Sequence, residues 1–384
     1  MDFKKMSAIA AMMLLAACSD DSSSSAPDDS GKEGASIDVS KMTLREKVGQ
    51  MFFVRPEALD TSIHWNEYAE LPDYKLQKVN ETMLAINKDY PIGGMILYAH
   101  NIVDESQLEA FIAEIRKLNG SPFLAIDEEG GRIARIANNE NFDVPKYESM
   151  AAIAKSGDPN EAYKAAVTIG SYIKEYGFDI DYAPVADVNT NPENIVIGAR
   201  AFSDDPETAA EFVVSYLNGL DSAGIIGTLK HFPGHGDVKT DTHSGYAETN
   251  KTWDEMLKCE MIPFKAGIKA GAQMIMTAHI AAPKVTGDEL PATLSPVILQ
   301  DKLRGELGFN GVIVTDAMDM GAITTQFGNA EAAIKSIQAG VDVVLCSREF
   351  TQVFNAVVKA VENGDIKESR IDESVKRILA LKKK

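Results

Sequence analysis

The residues from Lys230 to His243 combine the side-chain types and spacing that general acid/base chemistry needs. Ionisable side chains stand around two glycines and a proline, among them Lys230, His231, His235, Asp237, Asp241 and His243. Asp241 and His243 are two positions apart, so an extended backbone would put both side chains on one face, within reach of a carboxylate to imidazole hydrogen bond. Such a carboxylate raises the pKa of an imidazole from about 6.5 toward or above neutrality. We therefore predict that the pair supplies a proton donor at physiological pH.

Two alternatives fit parts of this stretch. A histidine that follows a strand is often a hydrogen-bonded core residue. The histidines and aspartates between His231 and His243 could also be drawn as a zinc site. A helical pair of ligands is disfavoured across Pro233-Gly234, and no cysteine cluster supports a metal. We predict a site with no metal and no cofactor.

The same stretch carries a resemblance to a known family. Lys230 to Gly236 reads KHFPGHG, and the triplet DTH of Asp241 to His243 follows four residues later. This combination resembles the signature of glycoside hydrolase family 3, in its β-N-acetylhexosaminidase branch. The resemblance implies that Asp241 and His243 form the acid/base dyad on a mobile loop. Because Gly234 and Gly236 precede the dyad, we predict that the loop moves and closes when sugar binds.

Asp316, which follows the apolar run Val312 to Thr315, is the candidate nucleophile. A carboxylate at the rim of a buried strand is costly unless it meets a cation or a substrate. The local sequence fits a helix N-cap equally well. Its context, TDAMDM, resembles the family's nucleophile motif, which implies that Asp316 attacks the anomeric carbon and forms a covalent glycosyl-enzyme. His243 would then protonate the leaving oxygen and later deprotonate water, with net retention.

Further side chains are implied as sugar contacts by the segment IDEEGGRIARI, Ile126 to Ile136, which resembles the family's substrate-binding segment. The resemblance puts Asp127 at the 4- and 6-hydroxyl groups. It adds as contacts Arg135, Arg200, Lys230 and His231. The residues of an acetamido pocket do not follow from the resemblance, and Met320 is our own candidate for it. Two structural alternatives stay open: an ion pair of Arg200 with Asp187, and an internal ion-pair network of Glu128 and Glu129.

The elements that must position these side chains alternate regularly along the chain. Eight short apolar runs are typical of strands: Met51–Val54, Gly94–Leu97, Phe123–Ile126, Ile180–Pro184, Ile225–Leu229, Met274–Thr277, Val312–Thr315 and Val341–Leu345. Segments of helical periodicity separate them, such as Glu105–Leu118, Asn160–Tyr176, Pro206–Ala223 and Trp253–Ala270. The pattern predicts an α/β fold, a (β/α)8 barrel with its active site at the carboxyl ends of the strands. The rival, a doubly wound sheet, usually has fewer strands and an early glycine-rich turn, where this chain has Arg55-Pro56.

The first residues predict export. Met1 to Ala17 joins Lys4 and Lys5 to an apolar segment too short to span a bilayer, as in a secretory signal. Leu15 to Cys18 reads LAAC and resembles a bacterial lipobox, which implies that a lipidated Cys18 anchors the protein to a membrane, on the periplasmic face or the cell surface. An ordinary cleaved signal is the alternative. Residues 18–36 are rich in Ser and Asp and predict a flexible tether, and residues 37–384 the barrel domain.

The amino-acid composition limits the kinds of molecule that the protein is expected to bind. A net charge of -19 over 384 residues argues against nucleic acid. Cys259 is predicted within a helix and Cys346 at the end of the last strand, with no bridge indicated.

We predict a monomeric, retaining β-N-acetylhexosaminidase that releases N-acetylglucosamine from peptidoglycan or chitin fragments. Three alternatives stay open: a β-glucosidase of the same family, a phosphorylase, because a histidine acid/base does not repel phosphate, and a glycan-binding lipoprotein without activity.

Overall fold

The computed structural model describes residues 38–60, 75–238, 242 and 245–382. Several residues singled out in the sequence lie outside the described residues. They are Cys18, together with the whole predicted signal and tether, and the predicted dyad of Asp241 and His243.

Eight parallel strands form a nearly closed barrel. Their order is β1 (Phe52–Val54), β2 (Gly94–Ile96), β3 (Phe123–Ile126), β6 (Ile180–Asp181), β7 (Ile226–Phe232), β8 (Met274–Thr277), β9 (Val312–Thr315) and β10 (Val344–Leu345). A separate antiparallel hairpin, β4 (Glu128–Gly130) with β5 (Ile133–Ala134), follows β3. β10 pairs with β1, and a bridge between Val314 and Val343 joins β9 to the segment before β10. The predicted (β/α)8 barrel is confirmed.

Helices alternate with these strands along the chain, and several begin at residues that cap them. Asp158 and Asp205 each accept a backbone hydrogen bond within the first turn of a helix that starts with proline, a residue suited to that position. None of the helices in the described part of the chain is both long and apolar enough to cross a membrane. The α-helices span Leu44–Gln50, Glu81–Asp89, Glu105–Ile115, Met150–Ala154, Pro159–Glu175, Pro206–Ser222, Trp253–Leu257, Met261–Lys269, Pro283–Thr286, Gly321–Thr324, Asn329–Ala339, Phe350–Glu362 and Glu368–Leu381, and a wider π-helix spans Val297–Glu306.

The predicted helix Trp253–Ala270 is two helices, because residues 258–260 form a turn. Pro263 lies in the first turn of the second helix, where it lacks the N–H that would continue a hydrogen-bond ladder from the first. The prediction that Cys259 lies within a helix is therefore wrong. Cys346 follows β10 directly, as expected, and both cysteines are free thiols.

The strand β7 is longer than predicted. Its ladder with β8 continues to Phe232, which is in register with Thr277, after an irregularity that begins at Leu229. Lys230 and His231 are thus strand residues, although the apolar run ends before them. Four other strands are shorter than the predicted runs: Phe52–Val54 and Gly94–Ile96 by one residue each, and Ile180–Asp181 and Val344–Leu345 by three residues each.

Asp342 ties the last strand to its neighbours. It is fully buried, and its carboxylate lies 2.6 Å from Arg304 Nη2, 3.0 Å from Arg377 Nη1 and 3.5 Å from Arg370 Nη2. The same carboxylate accepts the N–H of Ile313 in β9. One buried anion therefore holds together β9, the start of β10 and the C-terminal helix.

We expect Asp342→Asn to lower the free energy of unfolding by about 3–5 kcal/mol, because it removes the buried counter-charge of three partly buried guanidinium groups. Denaturant unfolding followed by circular dichroism measures this. The control is Lys335→Ala, which removes an exposed ion pair with Glu331 and should change the value by less than about 1 kcal/mol. Equal effects of the two substitutions would contradict the role given to Asp342.

Candidate active site

A cavity of about 140 Å³ collects residues that follow the barrel strands. All seven predicted site residues that the structure describes line it: Asp127, Arg135, Arg200, Lys230, His231, Asp316 and Met320. A larger and more open cavity of about 570 Å³ borders residues 198–204 but is lined by none of these side chains. We take the smaller cavity as the site because the ionisable groups converge there.

Asp127 forms part of the wall directly after β3. Its Oδ1 lies 3.0 Å from Lys230 Nζ, and its Oδ2 lies 3.2 Å from Arg135 Nη2. The β4–β5 hairpin folds the chain back after Asp127, and this brings Arg135 within reach. Two cations from separate elements thus fix the orientation of the carboxylate.

Glu129 forms the second half of this wall. It accepts two hydrogen bonds from Arg200, at 2.8 Å from Nε and 2.7 Å from Nη2, and its Oε1 lies 2.6 Å from Lys230 Nζ. Burial opposes ionisation, but the charges of Arg200 and Lys230 outweigh it and hold the pKa of Glu129 well below its usual range. The pKa of Lys230 is raised, because Glu129 and Asp127 outweigh its own desolvation. The proposed pairing of Arg200 with Asp187 is therefore wrong, and the ion-pair alternative is right for Glu129.

Glu128, the other member of that alternative, has a different role. Its carboxylate accepts the backbone N–H groups of Arg135, Ile136 and Ala137, at 2.5 to 2.9 Å, and the hydroxyl of Tyr172 at 2.7 Å. Burial is the main cause of its raised pKa, and these hydrogen bonds oppose the rise. Glu128 therefore shapes the loop that carries Arg135, and it does not line the cavity.

Asp187 orients His231. Its Oδ2 lies 2.7 Å from His231 Nδ1, and its Oδ1 accepts the N–H of His235 at 2.6 Å. Asp187 is buried, yet its pKa is lowered, because His231 and His235 outweigh the desolvation. An Nδ1–H bonded to Asp187 leaves His231 Nε2 facing Arg200 Nη2, 3.4 Å away. The sequence analysis named Asp187 only as an alternative partner of Arg200 and gave it no such role.

Asp316 lies opposite this wall, after β9. Its Oδ1 accepts the N–H of Ala317 at 2.8 Å, and the side chain is half-buried. Desolvation opposes ionisation, but nearby His231 and His279, the Ala317 N–H and Lys230 outweigh it, so the pKa of Asp316 is lowered. A carboxylate that is ionised at neutral pH can act as a nucleophile. The N-cap alternative is wrong, because the next helix begins at Gly321 and its cap is Met320.

Two further contributors are absent from the predicted site residues, although the sequence places His279 after a strand. Tyr98, two residues after β2, lines the cavity, and the cations of Arg55 and Arg135 lie 5.1 and 5.7 Å from its ring centroid. His279, after β8, has Nε2 3.0 Å from the carbonyl oxygen of Ala317 and so supports the segment that follows Asp316. Only their positions after strands signalled them.

The glycines of KHFPGHG are required by close packing. A Cβ on Gly236 would lie 1.8 Å from the carbonyl oxygen of Val188, and one on Gly234 would lie 2.6 Å from the side chain of Glu260. Gly234 also has φ +121°, a backbone conformation that favours glycine. These residues are buried, so their glycines give no sign of a hinge, and the predicted loop movement stays a prediction.

The described residues contain no group of three or more His, Cys, Asp or Glu side chains placed to hold a metal ion. Cys346 lies beside Tyr98, with its Sγ 3.4 Å from the hydroxyl. Burial raises the pKa of this thiol to about 12, so it is protonated at neutral pH and a poor nucleophile.

Residues 43–381 match the glycosyl hydrolase family 3 N terminal domain. The chain belongs to glycosyl hydrolase family 3. It is 34% identical over 321 residues to Beta-hexosaminidase A of Pseudoalteromonas piscicida, covering 77% of this chain and 54% of that protein. It is 37% identical over 259 residues to the Beta-hexosaminidase of Stenotrophomonas maltophilia strain K279a, covering 66% of this chain and 76% of that protein.

The barrel is also similar to a solved structure of the family. The glycoside hydrolase family 3 beta-N-acetylglucosaminidase from Paenibacillus sp. FPU-7 superposes with a TM-score of 0.78 at 33% identity, covering 89% of this chain and 62% of that one. The chain thus spans about half of the Pseudoalteromonas relative and under two thirds of the Paenibacillus chain. The family predicted from KHFPGHG and TDAMDM is confirmed.

Glu129 should make the stability of this family 3 barrel depend on pH. Its folded-state pKa is lowered, so the unfolded chain binds the extra proton and stability is lost as pH falls below about 4.5. We expect Glu129→Gln to be less stable at neutral pH and to lose stability more slowly between pH 5 and pH 3, by about 1 kcal/mol per pH unit. Urea unfolding across this range measures both slopes, and equal slopes would contradict the assignment.

Proposed function

We propose that the protein is a retaining exo-β-N-acetylhexosaminidase that releases terminal N-acetylglucosamine from peptidoglycan or chitin-type fragments. The observation that carries the proposal is the half-buried Asp316, with a lowered pKa, facing a wall of polar side chains in one small cavity. Similarity to proteins named as beta-hexosaminidases supports the amino-sugar specificity.

In the first step, the carboxylate of Asp316 attacks the anomeric carbon of the terminal sugar. The bond from that carbon to the leaving oxygen breaks as the oxygen takes a proton from His243, whose imidazolium is stabilised by Asp241. A covalent glycosyl ester of Asp316 results. The lowered pKa of Asp316 supports this step, since only the ionised carboxylate is nucleophilic.

In the second step, water attacks the same carbon and gives its proton to His243, which now acts as the base. The ester bond breaks and Asp316 leaves as a carboxylate. Two successive inversions give net retention of configuration. The acid/base residue is worth about two to four powers of ten in rate.

The cavity wall supplies the sugar contacts. Asp127, Arg135 and Lys230 present a fixed carboxylate and two cations, and Arg200 and His231 continue the polar surface. Met320, also in the lining, is the candidate contact of the acetamido methyl group. The volume, about 140 Å³, is well below the 300–1,000 Å³ of drug-sized sites, which supports binding of one terminal sugar.

The test is hydrolysis of a chromogenic N-acetyl-β-glucosaminide beside the matching β-glucoside, with enzyme that lacks residues 1–17. We expect the acetamido substrate to be preferred. Asp316→Ala should remove nearly all of the rate, because the other two carboxylates in the cavity lining, Asp127 and Glu129, are held in ion pairs. His243→Ala should lower the rate about 10²- to 10⁴-fold.

The control for these variants is Asp301→Ala, which removes an exposed aspartate of the π-helix, outside the cavity lining, and should leave the rate unchanged. Assays in phosphate and in plain buffer separate phosphorolysis from hydrolysis, because phosphorolysis releases sugar 1-phosphate. A preference for the glucoside would favour the β-glucosidase alternative. If neither sugar is cleaved in either buffer, the glycan-binding role replaces the enzyme.

We further propose that lipidation of Cys18 anchors the protein to a bacterial membrane, on the strength of the LAAC sequence. In a bacterial host that processes lipoproteins, the full chain should partition into the detergent phase of a Triton X-114 extract. Cys18→Ser should move it to the aqueous phase. Equal partition of both forms would contradict the anchor.

A further inference from the structure

The backbone that follows Asp316 is held by hydrogen bonds from both neighbouring strand ends. The peptide group between Ala317 and Met318 is bonded at both of its polar atoms. Its carbonyl oxygen lies 3.0 Å from Nε2 of His279, after β8, and its N–H donates to the carbonyl oxygen of Leu345 in β10 at 2.9 Å. A peptide group is planar and its N–H and carbonyl group point in opposite directions, so these two bonds fix its orientation.

His279 is itself held in place. It is buried, and it is not among the described residues that line the cavity. A carbonyl oxygen can only accept, so the contact with Ala317 requires the hydrogen to be on Nε2. The other ring nitrogen, Nδ1, lies 2.8 Å from Oγ1 of Thr293. This Oγ1 is in turn 3.0 Å from the carbonyl oxygen of Ala278 and 2.8 Å from Oγ1 of Thr277, so the imidazole is held at both nitrogens.

Ala317 connects His279 to the carboxylate of Asp316. Its N–H, which belongs to the preceding peptide group, donates to Asp316 Oδ1 at 2.8 Å. The N–H of Asp316 donates to the carbonyl oxygen of Thr277 in β8 at 3.1 Å. The half-buried side chain of Asp316 lines the cavity. The Ala317 N–H therefore sets the rotation of this carboxylate, and His279 sets the place of Ala317.

The far end of the segment is held by separate contacts. The carboxylate of Asp319 forms an ion pair with Arg55, after β1. The carbonyl oxygen of Asp319 accepts a hydrogen bond from Arg348 Nη2 at 3.1 Å. Loss of the contact from His279 should therefore reorient Ala317 and leave the segment folded.

We propose that His279, held by Thr293, is a positioning residue that orients Asp316 through the backbone of Ala317. The proposal rests on the proposed function, which makes Asp316 the nucleophile. Hydrogen-bond donors that are already in place before the reaction cost no reorganisation when it occurs. His279 is also among the groups that lower the pKa of Asp316, which favours the ionised form that attacks.

This arrangement predicts a loss of rate without a loss of sugar binding. A displacement of about 1 Å at a catalytic group can cost about 100-fold in rate. Asp316 forms the glycosyl ester with every substrate, so a misplaced carboxylate should slow the reaction whatever the leaving group. The side chains proposed to bind the sugar are fixed by other contacts, such as that of Asp127 with Lys230 at 3.0 Å. We therefore expect kcat to fall while KM stays near its wild-type value.

The experiment measures kcat and KM for 2,4-dinitrophenyl N-acetyl-β-glucosaminide and for N,N'-diacetylchitobiose, and Ki for N-acetylglucosamine. His279→Phe keeps a ring but removes both nitrogens, whereas His279→Gln retains an N–H for the Ala317 carbonyl oxygen. Thr293→Val removes the hydroxyl beside Nδ1 at nearly constant shape. Ser336→Ala is the matched control, because it removes another buried side-chain hydrogen bond to a backbone carbonyl oxygen, that of Ala333, outside the cavity lining.

We expect His279→Phe to lower kcat about 10- to 100-fold with both substrates and to change KM and Ki less than about 3-fold. Thr293→Val should have a smaller effect of the same kind, and His279→Gln should recover most of the loss. Ser336→Ala should resemble wild type. The double variant of His279→Phe with Thr293→Val should be no slower than His279→Phe, because Thr293 acts through the imidazole.

Thermal unfolding establishes that each variant is folded. If His279→Phe is not, Thr293→Val carries the test, and a wild-type kcat in that variant then counts against the proposal.

Other outcomes would overturn the proposal while the proposed function stands. A loss confined to chitobiose would place His279 in proton transfer to the leaving group. Changes in KM and Ki as large as that in kcat would mean that it only supports the fold of the cavity. Equal rates in His279→Gln and His279→Phe, or wild-type rates in both, would mean that the N–H toward Ala317 is without effect. If wild type cleaves neither substrate, the proposed function fails and takes this proposal with it.

Discussion

The site depends on the burial of one ammonium group, that of Lys230, between two carboxylates. Its side chain is 2% exposed, with Asp127 at 3.0 Å and Glu129 at 2.6 Å. A buried cation without such partners would cost several kcal/mol, and removal of one partner from a buried pair costs about 3–5 kcal/mol. The segment after β3 must therefore supply both acids on the side that faces β7. Because both acids are present, a charged residue can lie buried at the carboxyl end of a barrel strand without destabilising the fold.

In the rest of the cavity wall, negative and positive side chains alternate outward from this contact. Arg135 balances the outer oxygen of Asp127, and Arg200 balances the outer edge of Glu129. Arg200 then faces His231, which Asp187 holds from behind. Several of these polar groups are oriented by a partner from a different strand end, as Lys230 of β7 is by Asp127 and Glu129 after β3. Donors and acceptors are thus already in place, so under the proposed function little ordering entropy would remain to be lost when a sugar binds.

The sequence was sufficient for the features that repeat. Apolar runs that alternate with helical periodicity predict the barrel, and the polar residues after those runs, such as Asp127 and Asp316, mark the site. It was insufficient where long-range pairing decides the outcome. Nothing local shows that β7 extends through Lys230, because a charged residue in a buried strand is tolerated only when distant carboxylates meet it. The pairing of Arg200 with Glu129 in preference to Asp187 depends on the same tertiary approach. Asp241 and His243, the acid/base half of the predicted site, lie outside the described residues and stay a prediction.

Glu129 and Asp316 are two carboxylates of the same cavity, but their surroundings differ. Glu129 is buried and forms ion pairs with two cations, so its charge stabilises the cavity wall. Asp316 has no ion pair among the described residues within salt-bridge distance, and its side chain accepts one backbone N–H and is half-buried. Its pKa is lowered all the same, with the largest contributions from His231 and His279. The Asp316 carboxylate is therefore stabilised without a cation in direct contact with it, and its oxygens stay accessible to the cavity. That combination supports the nucleophile role proposed for Asp316, whereas the more deeply buried Glu129 holds the cavity wall.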